Sequence, residues 1–316
     1  MIGVAGAGAF GTALAVTLAR AGREVRLWGR DAAVMVAADR TRHLPRLPGV
    51  ILPEAVRPTG AADDLAACET LILAIPMQRL AEALGDLTSA PHHAVAACKG
   101  VDLARLRGPT AILHEAWPGT VPAILSGPSF AADIARGLPT ALSLGCADPD
   151  AGRALQAKLS TPTLRLYCTT DVTGVELGGA LKNVVAIACG AAIGAGLGES
   201  ARAALMTRGM AEIMRLAEAM GARRETLMGL SGLGDLALTC ASPASRNFAL
   251  GLALGRGELA PEATTEGTAT ATAALGLARP RGIDLPVTRA VDDLVAGRTN
   301  VEDAMRTLLD RDLKDE

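Results

Sequence analysis

The chain has 316 residues, enough for two domains and a large buried core. Its 31 basic and 33 acidic residues give a formal net charge of −2, and this balance argues against nucleic acid or an anionic membrane surface as a partner. The most apolar run, Val184 to Gly198, has 15 residues, fewer than the roughly 20 needed to cross a bilayer. We therefore expect a buried helix there and no integral membrane segment.

The six cysteines are scattered, with no C-x-x-C pair, and the chain shows no secretory leader. We expect reduced thiols, buried as small apolar side chains, in a cytoplasmic protein. The four histidines, of which His92 and His93 are adjacent, show no metal-ligand spacing, so no metal site is expected.

The first 31 residues predict a strand, a glycine turn, a helix and a second strand. The apolar run Ile2 to Ala5 suits a buried strand, Leu14 and Leu18 recur at helical spacing, and Gly22 suits a helix end. The turn carries G-x-G-x-x-G spacing at Gly6, Gly8 and Gly11. Such a turn lets bare backbone and the N–H groups at the helix start approach a pyrophosphate, which predicts a dinucleotide site. A tight βα turn that binds nothing is the alternative.

The end of the second predicted strand, Val25 to Trp28, bears on which nicotinamide cofactor is bound. NAD-specific enzymes usually place Asp or Glu there to bind the ribose hydroxyls, but this chain has Gly29 and Arg30. A guanidinium suits a 2′-phosphate, which favours NADP without excluding NAD. Otherwise Arg30 is a solvated surface charge, and the neighbouring Asp31 is either the missing acid or the N-cap of the next helix.

Short apolar runs alternate with helical stretches in the first half of the chain, a pattern typical of a parallel sheet with crossover helices. Strands are predicted at residues 71–75, 94–98, 123–125, 141–144 and 164–167. The proline-rich residues 45–60 predict a surface loop. Strand-like runs stop at about residue 169, and segments such as 203–220, with its stripe of methionines, predict long packed helices.

These patterns predict an α/β fold with two domains. The N-terminal domain, residues 1–168, is a Rossmann-type, doubly wound dinucleotide-binding domain. The C-terminal domain, residues 169–316, is an all-α substrate-binding domain.

Ionisable side chains beside glycines are the candidates for a substrate site. Gly178 precedes Lys182 by one helical turn, which would leave space beside the ammonium for a small substrate. A desolvated lysine suits proton transfer to a carbonyl oxygen, although an ordinary lysine at the rim of an apolar helix shows the same pattern. Further candidates are Lys99, Gly127 with Ser129, Asp235 with Thr239, and Ser245-Arg246-Asn247. Taken singly, Ser129 and Asp235 also suit helix N-caps, and Arg246 suits a surface position.

Taken together, these segments resemble the bacterial type of NAD(P)-dependent glycerol-3-phosphate dehydrogenases. The resemblance spans nearly the whole chain, in order and at sensible spacing. It is carried by GAGAFGTALAV, VRLWGRD, CKGVD, SGPSFA, GLPTA, VELGGALKNVVAI, TRGMAEI, GLGDLALTC, SRN and TTEG.

The resemblance implies a role for each matching residue. Lys182 would be the proton donor and acceptor, with Lys99 and Asp235 as catalytic residues near the reacting carbons. The substrate-binding residues would be Lys99, Gly127, Ser129, Lys182, Asn183, Asp235, Thr239, Ser245, Arg246 and Asn247. The cofactor-binding residues would be Gly6, Gly8, Ala9, Phe10, Gly11, Arg30, Lys99, Ala131, Arg246, Thr264 and Glu266.

The implied reaction is reduction of dihydroxyacetone phosphate to sn-glycerol 3-phosphate with NADP or NAD, for glycerophospholipid synthesis. Two departures from the family pattern stand out: Met77 lies where the family often has a serine, and Thr264 where a larger aliphatic residue is common. A β-hydroxyacid dehydrogenase of similar architecture and a non-catalytic NADP-sensing protein are the alternatives. The oligomeric state stays open, with a homodimer as one option.

Overall fold

The computed structural model describes residues 1–87, 89–259 and 265–309. Its centre is one eight-stranded sheet in the order β3-β2-β1-β4-β5-β6-β7-β8. The strands are β1 Ile2–Ala5, β2 Val25–Trp28, β3 Val56–Thr59, β4 Thr70–Leu73, β5 His93–Ala96, β6 Val121–Ser126, β7 Thr140–Cys146 and β8 Leu164–Thr169. Strand order reverses between β1 and β4, which makes that edge the topological switch point of a doubly wound sheet. The predicted α/β fold is therefore confirmed.

The opening unit matches the sequence prediction in every element. Strand β1 is buried along its whole length, helix α1 spans Ala9–Arg20, and β2 pairs parallel to β1 from Ile2↔Val25 to Ala5↔Trp28. Because both sheet faces are covered in such a fold, its central strands are continuous apolar runs, as residues 2–5 are.

Helices follow most of the remaining strands of the sheet. They are α2 Ala32–Thr41, α3 Leu80–Gly85, α4 Pro109–Ala116, α5 Ala131–Arg136 and α6 Pro149–Leu159. Each predicted strand is present, although β4 and β5 each end two residues before the predicted limit.

Three predictions about this part of the chain were wrong. The region 45–60 contains strand β3, which tolerates Pro58 because an edge strand needs no backbone donor on its outer side. The sheet is mixed, since β7 runs antiparallel to β6 and apolar runs carry no information on strand direction. Cys168, on the edge strand β8, is exposed, whereas the other five cysteines are buried as expected.

The chain divides into two compact units. The first contains Met1–Lys99 and Arg107–Glu176, and the second contains Gly100–Leu106 and Leu177–Glu316. The division falls within helix α7, Val172–Gly194, whereas the sequence prediction separated the domains at residues 168 and 169.

Helices make up the second unit, as predicted for the region after residue 169. They continue from α7 as α8 Gly198–Ala219, α9 Arg224–Leu227, α10 Asp235–Cys240, α11 Arg246–Gly255, α12 Glu266–Ala278, α13 Pro286–Val295 and α14 Val301–Leu309. The methionine stripe of α8 is core: Met210 is buried, and Met206 and Met214 pack against the same apolar cluster.

Helix α7 is the apolar core helix of this unit. The expected buried helix is confirmed, but it has 23 residues rather than 15, so by length and composition it would be able to cross a membrane. In this fold 83% of its most apolar window is buried against other parts of the chain. Such burial is the pattern of a core helix.

A partly buried glutamate, Glu176, and a buried one, Glu212, cap helices that are distant in sequence. Helices α4 and α13 both begin with proline and have no side-chain cap of their own. Glu176 accepts hydrogen bonds from the backbone N–H and the hydroxyl of Thr110 at α4 (2.8 and 2.7 Å). Glu212, on α8, accepts them from Val287 N–H, Thr288 N–H and the Thr288 hydroxyl at α13. Burial raises the pKa of both carboxyl groups.

We expect the Glu212→Ala substitution to lower the free energy of unfolding by at least about 2 kcal/mol, because it leaves two buried backbone N–H groups and a hydroxyl without an acceptor. Urea denaturation of the purified protein measures this change. Glu218→Ala is the matched control, since Glu218 lies on the same helix and is exposed, and its effect should stay within about 0.5 kcal/mol. Equal effects of the two substitutions would contradict the capping role.

Candidate active site

The glycine turn lies at the carboxyl end of β1, at the switch point of the sheet. Gly6 has a φ of +118°, and a side chain there would collide with the carbonyl group of Ala74. A Cβ on Gly11 would collide with the carbonyl oxygen of Gly6, so both positions need bare backbone. Around Gly8 there is open space, and Gly8 caps α1 without a side-chain hydrogen bond. The first N–H groups of α1 are thus available to an anion such as a pyrophosphate.

Ala9 and Phe10 form the first turn of helix α1 after this glycine segment. Both are partly buried, and Phe10 packs against the apolar core on one side of the sheet. The two residues thus directly follow the turn whose backbone N–H groups are available to an anion.

Arg30 extends from the end of β2 into solvent. Its side chain is 68% exposed and lies 3.9 Å from the carboxylate of Glu82. Asp31 accepts a hydrogen bond from Val34 N–H at 3.1 Å and is the N-cap of α2. The N-cap interpretation of Asp31 is therefore confirmed.

Lys99 and Ser129 converge on one carbonyl group after strands β5 and β6. Lys99 Nζ donates to the carbonyl oxygen of Gly127 at 3.1 Å, and Ser129 Oγ donates to the same oxygen at 3.0 Å. The N-cap of α5 is Phe130, so the prediction of Ser129 as a helix cap was wrong. Ala131, the first residue of α5, is partly buried. The geometry brings a cation and a hydroxyl together at the edge of the sheet where parallel strands end.

Lys182 is buried within the second unit, with 7% of its surface exposed. Its ammonium forms an ion pair with Asp235, which is fully buried, and donates to Thr239 Oγ1 at 2.8 Å. Asp235 is the first residue of α10 and follows the N-cap, Gly234, so its interpretation as an N-cap was wrong. The carboxylate compensates the positive charge of the buried ammonium and, with the Thr239 hydroxyl, fixes its position. The alternative of an ordinary lysine at a helix rim does not fit this geometry.

The role expected for Gly178 needs correction. A Cβ on Gly178 would lie 2.9 Å from the carbonyl oxygen of Ser231 and 3.1 Å from Gly232 Cα. The space beside Gly178 is therefore filled by backbone of the turn Leu230–Gly234, which leads directly into Asp235. The missing side chain brings α7 against this turn and does not open a substrate pocket there.

The structure also reveals a polar residue that sequence reasoning missed. Ser231 is fully buried in the turn against α7, and its Oγ has no hydrogen-bond partner among the residues that the structure describes. No spacing signal marked it, because a serine between glycines is common in exposed turns. Met77, by contrast, is buried in the apolar core of the first unit.

The remaining predicted residues that the structure describes lie in or beside the helices α7, α11 and α12. Ser245 caps α11 by accepting from Phe248 N–H at 3.2 Å, and Asn247 Oδ1 accepts from Gly267 N–H at 3.0 Å. Arg246, the first residue of α11, is exposed, and Glu266, the first residue of α12, is partly buried. Asn183 is buried on α7, and Thr264 lies outside the described residues. Ser245 and Asn247 thus have structural partners, whereas Arg246 presents its charge to solvent.

The buried ion pair predicts a strong coupling between Lys182 and Asp235. We expect Lys182→Met and Asp235→Leu each to cost about 3 to 5 kcal/mol of unfolding free energy, because each leaves one buried charge unpaired. The double variant should cost much less than the sum of the two. Denaturant unfolding of the four proteins measures the coupling, with the exposed pair Arg153 and Asp150 as the matched control. Additive losses at Lys182 and Asp235 would show that the two charges do not depend on each other.

Comparison with known proteins places this geometry in a family. Residues 1–152 match the model for the N-terminus of NAD-dependent glycerol-3-phosphate dehydrogenase, and residues 171–306 match the model for its C-terminus. The chain is 57% identical to a glycerol-3-phosphate dehydrogenase [NAD(P)+] of Paracoccus denitrificans and 54% identical to that of Roseobacter denitrificans, each over 100% of this chain and 99% of the relative. The crystal structure of glycerol-3-phosphate dehydrogenase from Coxiella burnetii superposes with a TM-score of 0.92 at 34% identity, covering 98% of both chains. The chain belongs to the NAD-dependent glycerol-3-phosphate dehydrogenase family.

Proposed function

We propose that this protein is an NAD(P)-dependent glycerol-3-phosphate dehydrogenase that reduces dihydroxyacetone phosphate to sn-glycerol 3-phosphate. The observation that carries the proposal is the buried lysine, Lys182, held by Asp235 and Thr239 in a chain that matches this family along nearly its whole length. We further propose that the reaction takes place in the cytoplasm and supplies glycerophospholipid synthesis.

The first unit would hold the cofactor through its glycine turn. Gly6 and Gly11 keep the backbone bare, and the open space at Gly8 suits a pyrophosphate against the start of α1. A bound nicotinamide cofactor supplies the hydride. Arg30 would pair with the 2′-phosphate of NADP. Further cofactor contacts would come from Ala9, Phe10, Lys99, Ala131, Arg246, Thr264 and Glu266.

Lys182 would supply the proton. Reduction of a ketone places negative charge on its oxygen, and an ammonium beside that oxygen both stabilises the charge and donates the proton. Asp235 and Thr239 hold Nζ in place, so little reorganisation is needed when the charge develops. In the reverse direction the same nitrogen would accept the proton.

The phosphate of the substrate needs a cationic partner. Arg246 is exposed at the first position of α11, where the helix dipole also favours an anion. The further substrate contacts would come from Lys99, Gly127, Ser129, Asn183, Ser245 and Asn247. Ser245 and Asn247 have structural hydrogen bonds of their own, and we propose that these keep the segment around Arg246 in place.

The decisive experiment replaces Lys182 by glutamine and follows oxidation of NADPH with dihydroxyacetone phosphate. Glutamine still offers Asp235 an N–H donor but is no proton donor, so kcat should fall at least about 100-fold. The dissociation constant for NADPH should stay unchanged, because the glycine turn lies in the other unit. Circular dichroism checks that the variant is folded.

Lys158→Gln is the matched control. Lys158 is paired with Glu69 on the first unit, so this substitution should leave kcat unchanged. A folded Lys182→Gln variant that keeps more than about a tenth of the parent kcat would overturn the catalytic role. A parent enzyme that turned over hydroxyacids instead would identify a β-hydroxyacid dehydrogenase. Binding of NADPH without turnover of any substrate would identify a sensor.

Arg30 tests the preference between the two cofactors. If it pairs with the 2′-phosphate through charged hydrogen bonds, worth about 1.5 to 3 kcal/mol, Arg30→Ala should raise KM for NADPH by roughly 10- to 100-fold and leave KM for NADH nearly unchanged. Steady-state kinetics with both cofactors measure this selectivity. Arg40→Ala, at the far end of α2 and also exposed, serves as control. Equal losses for NADPH and NADH would leave Arg30 as a general surface contact.

A further inference from the structure

A glutamate and two histidines meet at the amino-terminal ends of the neighbouring strands β4 and β5. Glu69 immediately precedes β4, and His93 is the first residue of β5. The two strands are hydrogen-bonded neighbours, and His93 N–H donates to the carbonyl oxygen of Glu69 at 3.0 Å. His92, the preceding residue, brings its ring to the same point. Sequence spacing did not predict this cluster, because parallel pairing joins residues 69 and 93 only in the folded chain.

The spacing of the three side chains suits a small transition-metal ion. The Nδ1 atoms of His92 and His93 lie 3.2 Å apart, and the rings meet edge to face with centroids 4.3 Å apart. Two nitrogens at the usual zinc distance of about 2.0 to 2.1 Å in a tetrahedral site lie about 3.3 to 3.4 Å from each other. One oxygen of Glu69 and a nitrogen of each histidine all lie within 4.8 Å of one another. Glu69 is exposed, and binding of a metal ion would require its side chain to turn toward the two nitrogens.

A lysine lies against the carboxylate of this cluster. Lys158 Nζ lies 2.5 Å from Glu69 Oε2, so the lysine and a metal ion would compete for the same carboxylate.

We propose that Glu69, His92 and His93 form a binding site for one zinc ion. Three protein ligands would occupy three tetrahedral positions, and water would complete the fourth. Two imidazoles among three ligands favour zinc over magnesium and calcium, which prefer oxygen. This proposal reverses the expectation from the histidine spacing that the chain has no metal site.

The position of the site assigns it a role in stability and not in the reaction. It lies at the amino-terminal ends of β4 and β5, whereas the glycine turn follows the carboxyl end of β1, which pairs in register with β4 from Ile2↔Thr70 to Ala5↔Leu73. A bound zinc ion therefore cross-links β4 and β5 at their amino-terminal ends, whereas the glycine turn lies at the carboxyl ends of the parallel strands. It raises the melting temperature and leaves kcat unchanged.

The test titrates zinc chloride into the full-length, chelator-treated protein and records both the dissociation constant by calorimetry and the melting temperature. The parent should bind one zinc ion per chain and melt at a higher temperature with zinc than without it. His92→Ala and Glu69→Gln, both at exposed positions, should weaken binding by at least about tenfold and remove the shift in melting temperature. Lys158→Ala should strengthen binding, because the lysine competes with the metal for the Glu69 carboxylate.

His43→Ala, His114→Ala and Cys168→Ala are the matched controls and should bind zinc as the parent does. The cobalt-substituted parent should lack the strong thiolate charge-transfer absorption, since no cysteine is a proposed ligand. Magnesium chloride should produce no shift. A parent that binds no zinc overturns the proposal, as does zinc affinity that is unchanged in His92→Ala and Glu69→Gln or lost in Cys168→Ala.

Discussion

The ion pair between Lys182 and Asp235 is the constraint on which the second unit depends. Both groups are buried, and a charge removed from water is tolerated only when another group compensates it. The pair therefore ties the middle of α7 to the start of α10, and the hydroxyl of Thr239 adds a second anchor one helical turn further on. The ion pair with Asp235 compensates the charge of the buried lysine and also fixes the position of its Nζ atom. The stability of the fold and the proposed proton transfer therefore depend on the same interaction.

Burial of Lys182 in turn requires its helix to pack closely. Gly178 allows α7 to touch the backbone of the turn before Asp235. Further along, Gly190 and Gly194 on α7 face Gly251 and Gly255 on α11, and a side chain at any of the four would collide with the backbone of the other helix. These close backbone contacts help to bury α7, whose most apolar window is 83% buried although its length and composition would also suit a membrane.

In each unit, a glutamate side chain that is distant in sequence caps the start of a helix. Helices α4 and α13 begin with proline, which suits the first helical position but supplies no side-chain acceptor for the N–H groups behind it. Glu176 and Glu212 provide these acceptors from positions 66 and 75 residues away in sequence. Glu176 links the start of α4 to the first turns of α7, and Glu212 links the start of α13 to the interior of α8. The hydrogen bonds that cap α4 and α13 therefore also fix where these helices begin relative to α7 and α8.

Patterns within a short stretch of sequence were enough to identify the dinucleotide-binding unit. The apolar run of β1, the spacing of the turn glycines and the helical periodicity of α1 all depend on residues that are near neighbours in sequence. Strand β3 was not predicted because a proline is unusual in a strand other than an edge strand. The direction of β7 was not predicted because apolar runs look the same in either direction.

Lys182 was recognisable beside its glycine, but its partners Asp235 and Thr239 lie 53 and 57 residues further on, and only packing brings them to its ammonium. The Glu69, His92 and His93 cluster is hidden for the same reason. Local residue order specifies the helices and most of the strands, whereas the environment of each ionisable group depends on which distant elements pack against it.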